Sequence, residues 1–217
     1  MFTALPGGIP VSPACTQDIP IDVGMMVALS WNSKGWRGQS SHPDDVSDSG
    51  FGDVRYRKSA HEWWNFDVDH PENKGEWVYG YFHPSGNSRP NIAPDARIAL
   101  FFASRQPKTG LMFVVGAYLG AEFSSQGWED INERTDREGD GDIGSDTNIR
   151  CKREHVWAME PKTLLRLDPS HHLRGQRIGM RNFTYLERPQ IQALLHDMML
   201  TSTERMLGLV GGVFMKK

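Results

Sequence analysis

Two apolar runs separated by one polar turn constrain this chain more than any other feature. RIALFFAS (residues 97–104) and LMFVVGAYLGAEF (residues 111–123) are the clearest strands in it. The link between them, Arg105 to Gly110, carries both a proline and a glycine. Two such runs across so short a link read as a hairpin. Gly116 and Gly120 interrupt the second run, which predicts a bulge, a bend or a close backbone approach.

The rest of the chain is arranged around that hairpin. Residues 1–24 are rich in Pro and Gly and read as an irregular N-terminal extension. Residues 25–31 read as a first strand, 32–55 as mostly loop, and 56–66 as either a helical turn or a short strand. EWVYGYFH (76–83) reads as a strand, followed by a turn-rich loop. Residues 124–148 form an acidic, glycine-containing insertion, and 151–167 mix strand and loop signals. Residues 168–182 read as a loop with His171, His172 and three arginines, and Phe183–Leu186 as a short strand. Ile191, Leu194, Leu195, Met198 and Met199 recur at helical spacing, and Pro189 suits a first turn. Residues 201–217 read as a helix end and a fraying tail. The expected class is α+β, a small, strongly bent mixed β-barrel with flanking helices and long loops over residues 25–200.

Charge and cysteine content narrow the function. Lys and Arg number 24 against 27 Asp and Glu, a net charge of −3. That balance argues against a broadly basic nucleic-acid coat and leaves room for a local basic groove. Cys15 and Cys151 fit neither a metal spacing nor a disulfide framework, so a reducing cytoplasm is expected. No apolar run is long enough to span a bilayer, so no membrane partner is expected. Neither a P-loop, nor G-x-S-x-G, nor G-x-G-x-x-G after a strand is present, and no catalytic residue, metal or cofactor is assigned.

Aromatic residues are the most suggestive set. The chain has seven tryptophans. Trp63, Trp64 and Trp77 read as core. Trp31 and Trp36 flank a polar loop with Asn32 and Ser33, and two roles fit them: plugging the core, or gripping a planar base whose edge Asn32 and Ser33 read. Lys34, Arg37, Arg89, Arg105, Lys108, Arg174, Arg177 and Arg181 lie in loops and supply candidate phosphate contacts. DREGDGDIGSDT (136–147) approximates a calcium loop but puts Glu138 at the third position and Thr147 at the closing one, so it reads as a solvated loop. If residues 66–70 are extended, Asp67 and Asp69 share a face beside His70 and can seat a cation for phosphodiester hydrolysis; ordinary loop chemistry is the simpler reading.

The order of elements resembles the PUA-like superfamily, especially the EVE-like modules of modification-dependent restriction systems. The residues that carry the resemblance are Trp31-Asn32 with Trp36; His61, Glu62, Asn65 and Phe66; Tyr79-Gly80-Tyr81; ALFFAS; and FVVGAY with Val114-Val115-Gly116. It implies a barrel whose mouth accepts a flipped, modified base, with Trp31, Asn32, Ser33 and Trp36 at the rim and Phe101, Phe102 and Ser104 on the strand beside it. The acidic insertion at 129–146 has no place in that pattern, and the nuclease module such readers accompany is not in this sequence. The expected function is a modified-base reader in DNA, the specificity part of a restriction system, partnered by a nuclease domain or subunit. A metal-dependent phosphodiesterase using Asp67, Asp69 and His70, or a protein-interaction barrel, are the alternatives.

Overall fold

The computed structural model describes residues 19–37, 65–69, 73, 75–82, 89–124, 128, 148–176, 178, 183–201 and 213–215. Its strands are β1 (Ile19–Ile21), β2 (Val23–Leu29), β3 (Trp77–Gly80), β4 (Ile98–Arg105), β5 (Met112–Phe123), β6 (Ile149–Lys152), β7 (Val156–Ala158), β8 (Leu165–Arg166), β9 (Phe183–Leu186) and β10 (Val213–Met215). Helix α1 is a single turn, Pro169–His172, and α2 runs Arg188–Thr201.

β5 is the spine. One edge pairs antiparallel with β4 along most of its length, as the hairpin reading expected. The other edge takes three short antiparallel partners in turn: β8 at Phe113–Val114, β7 at Gly116–Tyr118 and β6 at Glu122–Phe123. β4 pairs parallel with β2, and β2 antiparallel with β9. β3 closes the other side by pairing with β6. The class is α+β, with two α-helices among the described residues. The sheet is not closed into a barrel: its path ends at β3 on one side and β9 on the other. β6 grips β5 over only two residue pairs, at Glu122 and Phe123, and β3 is joined to the sheet through β6.

The two glycines in the spine do different work. Ile98 pairs with Ala121 and Ala99 with Leu119, which leaves Gly120 as the extra residue of a bulge, and its φ of 75° suits glycine. At Gly116 the reason is space, because a Cβ there would stand 2.4 Å from both Phe66 Cε1 and the Trp157 carbonyl oxygen.

β4 is buried on both faces, so its residues alternate between two cores. Ala99, Phe101 and Ala103 face one core with Met26, Ala117 and Leu119, roofed by Ile191, Leu194, Leu195 and Met198 of α2. Small residues let α2 come close: a Cβ on Gly24 would lie 2.4 Å from Ile191 Cδ1. Ile98, Leu100 and Phe102 face the other core with Met25, Val27, Leu29 and Tyr118, roofed by Trp36, Phe66, Val68 and Phe82.

That second roof is largely irregular, so side chains meet its backbone groups. Asn65 donates from Nδ2 to the Tyr81 carbonyl and accepts the Tyr81 N–H at Oδ1, at 2.8 and 2.7 Å. Asn148 does the same for Phe82, at 2.8 and 3.2 Å. Arg153 donates to the carbonyls of Val68, Asn73 and Gly75. Arg150 is sandwiched between Trp77 and Trp128, 4.3 and 3.9 Å from the ring centres, while Glu122 accepts from it and from Arg97.

Three elements lie where irregular chain was expected: β1, β10 and the single-turn α1, which falls in the segment 168–182 read as a loop and is capped by Asp168. β1 and the start of β2 fall within the extension assigned to residues 1–24, and β10 falls within the tail. β1 and β10 pair in parallel, a contact between distant segments that local patterning does not report. Among the described residues no helix is long and apolar enough to cross a membrane.

The two kinds of glycine separate in stability measurements. Gly116→Ala forces a Cβ against a backbone oxygen and costs about 3 kcal/mol or more. Gly110→Ala meets no atom within 4 Å but keeps a φ of 65°; it costs about 1–2 kcal/mol. Urea unfolding of both variants checks the order, and equal costs would show that the Gly116 approach relaxes.

Candidate functional site

The candidate site sits where β2 ends. One row of paired residues crosses four strands there: Leu29 opposite Ser104, Ser104 opposite Phe113, and Phe113 opposite Arg166. Paired residues share a face, so this row underlies the loop that leaves β2. The loop folds back over it, and Trp31 packs on Phe113 with ring centres 6.2 Å apart.

Within the loop the two tryptophans divide their roles. Trp36 is 1 % exposed and belongs to the core. Its indole N–H donates to the Ser30 carbonyl at 3.0 Å, and its own carbonyl accepts the Phe66 N–H at 3.2 Å. Trp31 stays partly exposed and meets Trp36 edge to face, 5.5 Å between centres at 82°. The pair is therefore not a parallel sandwich with a slot between its rings: Trp31 is the outer ring and Trp36 its support.

The backbone is unusual at the same point. Gly35 has φ 71° and Trp36 has φ 57°, two left-handed residues in succession. For a bulky residue this conformation costs about 1–2 kcal/mol. It persists here because Trp36 is held by its buried ring and its two hydrogen bonds. Asn32 caps the turn, its Oδ1 accepting the Lys34 N–H at 2.8 Å. Asn32 is buried, so this amide oxygen points into the loop, whereas Ser33 and Lys34 are exposed.

The other assigned residues fall in three groups. Phe102 and Ser104 are wholly buried beneath the loop. Phe102 is edge-on to Phe66 and Tyr118, and the Ser104 hydroxyl donates to the Leu29 carbonyl at 3.0 Å. They form the floor. Arg37 and Arg105 lie at the same end of the sheet; Arg37 pairs with Glu160 at 3.0 Å, and Arg105 donates to the Gly110 carbonyl at 2.8 Å across the hairpin turn. Arg174 is elsewhere. It pairs with Glu187, which follows Leu186, and Leu186 lies opposite Gly24 at the start of β2. Arg177, Arg181, Trp63, Trp64, His70 and the acidic loop 136–147 lie outside the described residues.

Sequence reading passed over two cations of this end. Arg166 is exposed and sits in the row beside Phe113. Lys162 is exposed in the turn whose Pro161 would touch a Cβ placed on Gly35, at 3.0 Å. Neither has a local signal, because β8 and that turn meet the loop and its floor through contacts between segments distant in sequence: Phe113 with Arg166, Arg37 with Glu160, and Pro161 beside Gly35. Lys34, Arg37, Arg105, Lys108, Lys162 and Arg166 thus gather at one end of a chain whose net charge is −3.

The remaining chemistry-bearing residues are committed in other ways. Cys151 is fully buried, and burial pushes its thiol far above the usual range. Asp67 lies between two turns and Asp69 in the second, so neither is part of a strand, and exposed Asp69 approaches Arg153 at 3.8 Å. His171, His172 and Asp197 bring one ligand atom each within 4.8 Å of one another. A hydrogen bond from His196, aided by His172 and His171, holds the Asp197 carboxyl below the usual carboxylate range against partial burial. Comparison of the chain with protein-family models, curated proteins and solved structures gives no match.

The division between the tryptophans predicts unequal costs. Trp36→Ala lowers stability by about 3–5 kcal/mol. Trp31→Ala lowers it by about 1–2 kcal/mol, having less surface to expose. Denaturant titration of both variants measures the difference. Alkylation of the native protein followed by peptide mass mapping is expected to leave Cys151 unmodified until the chain unfolds.

Proposed function

We propose that this chain is a non-catalytic reader of a modified nucleobase in DNA, with Trp31 as the stacking platform. The observation that carries the reading is the pair of left-handed residues Gly35 and Trp36. A loop that only connects two elements has no need of a strained tryptophan. Strain of this kind clusters at sites where geometry is held in advance. Here it fixes Trp31 edge-on against Trp36 and projects Ser33 and Lys34 from the tip.

The chemistry around the platform suits an extruded base. Trp31 offers a flat apolar surface, and Ser33 a hydroxyl that donates or accepts at a base edge. Lys34, Arg105, Lys162 and Arg166 provide cations for the flanking phosphates. Asn32, Trp36, Phe102 and Ser104, assigned to base contact from the sequence, take the supporting role in this reading. The resemblance to EVE-like modules points the same way, with the bulged β4–β5 ribbon as the counterpart of their barrel wall. A nuclease domain or subunit of a restriction system is the natural partner for such a reader.

Fluorescence anisotropy against short duplexes containing cytosine, 5-methylcytosine, 5-hydroxymethylcytosine, adenine or N6-methyladenine tests the proposal. One modified duplex is expected to bind best, and Trp31→Ala to weaken it about 10- to 100-fold, the worth of one base–aromatic stack. Lys34→Ala and Arg105→Ala are expected to weaken all duplexes alike and to flatten the salt dependence by about one phosphate each. Equal affinity of Trp31→Ala and the parent chain for every duplex would remove Trp31 as the platform.

A further inference from the structure

We infer that the turn Glu160–Thr163 is a clamp on the Trp31 loop, and that Glu160 is the positioning residue that sets how well the site discriminates between bases. The effect on discrimination rests on the reading of Trp31 as a nucleobase platform; the clamp itself does not.

Two left-handed residues in succession, Gly35 and Trp36, persist only where their surroundings over-determine them. The buried ring of Trp36 and its hydrogen bonds hold that residue itself; the turn holds the residues on either side of it. Before it, Pro161 stands so close to Gly35 that its Cγ would be 3.0 Å from a Cβ added there. Glycine at 35 thus answers two demands, a φ of 71° and the room that Pro161 takes. After it, Arg37 Nη2 donates to Glu160 Oε1 at 3.0 Å, a contact between residues 123 apart in the chain.

The clamp has a firm mounting. It links β7 to β8, and both are paired to the spine: Ala158 lies opposite Gly116, and Leu165 opposite Val114. Just before the turn, the Met159 N–H donates to the Val115 carbonyl at 3.0 Å. Thr163 closes the turn on itself, its N–H and its hydroxyl donating to the Glu160 carbonyl at 2.8 and 3.3 Å. Contact residues keep a productive geometry when a supporting set is fixed in this way. Glu160 also acts through its charge. Its carboxylate is bound to Arg37 and two residues from Lys162, so it repels a phosphate backbone whatever base that backbone carries. Holding the platform and repelling the backbone both widen the gap between the right base and the wrong one.

Hydrogen exchange of the free chain, read by NMR, tests the clamp without any nucleic acid. The reporters are the Trp36 indole N–H and the Phe66 amide, which donates to the Trp36 carbonyl. Both Arg37 and Glu160 are partly exposed, so Glu160→Gln is expected to speed exchange at these two reporters about 2- to 5-fold, the worth of such a pair. The β4 and β5 amides are expected to keep their rates, and Arg37→Glu combined with Glu160→Arg to restore the reporters. Unchanged reporters, or equal acceleration along the whole chain, overturn the clamp. Anisotropy with the duplex panel then reads recognition. Glu160→Gln is expected to bind the unmodified duplex more tightly, having lost a negative charge, and to lower the ratio of modified to unmodified affinity about 2- to 5-fold. A parent chain that discriminates and a Glu160→Gln variant that keeps the same ratio would overturn the role of Glu160 and leave the reader standing. A parent chain that binds no duplex would overturn the reader and the role in discrimination together, with the clamp decided by exchange alone.

Discussion

A strand buried on both faces has to be roofed twice, and most of this structure follows from meeting that demand for β4 and β5. One roof is regular: α2 lays four apolar side chains over a face made shallow by Gly24, Ala99, Ala103 and Ala117. The other is assembled from loops. An irregular roof leaves backbone groups that no ladder satisfies, and a buried group without a partner costs about as much as a lost hydrogen bond. Asn65, Asn148 and Arg153 supply what a neighbouring strand would have supplied. The Trp36 indole and carbonyl do the same for the loop after β2. The candidate site is thus an outgrowth of the second roof, since the residues that seal the core also stiffen the loop above it.

The legible and illegible parts of the fold divide by sequence distance. The β4–β5 hairpin could be read because both strands and their turn are contiguous, and α2 because its apolar residues repeat at helical spacing. The second edge of β5 could not. It is built from three fragments of two to four residues, each too short for periodicity to register. β1 and β10 were missed for a related reason, since neither has a partner within reach along the chain.

At the site, residue type was more informative than position. Trp31 and Trp36 were singled out together, but their sequence left two roles open for each. What separates them is a backbone angle, and its one local sign is the glycine before Trp36. The cationic rim was half visible: Lys34, Arg37 and Arg105 neighbour the loop or the hairpin, whereas Arg166 arrives through pairing with Phe113 and Lys162 through the turn whose Pro161 lies beside Gly35. The histidine cluster was present in the sequence as an adjacent pair. Asp197 gave no sign of its involvement, because α1 and α2 had to meet before its carboxylate faced both rings.

The parallel pairing of β1 with β10 places the chain's entry and exit side by side, about 4.8 Å apart as neighbouring strands are. Both strands also run in the same direction, so a polypeptide continuing from either one departs from opposite ends of a shared seam. Such a seam behaves like a clasp on a necklace. Pulling on the two flanks loads its hydrogen bonds in shear, all at once, rather than peeling them one by one. A neighbouring domain attached through these segments would therefore transmit force to β1 and β10 before the central sheet felt it.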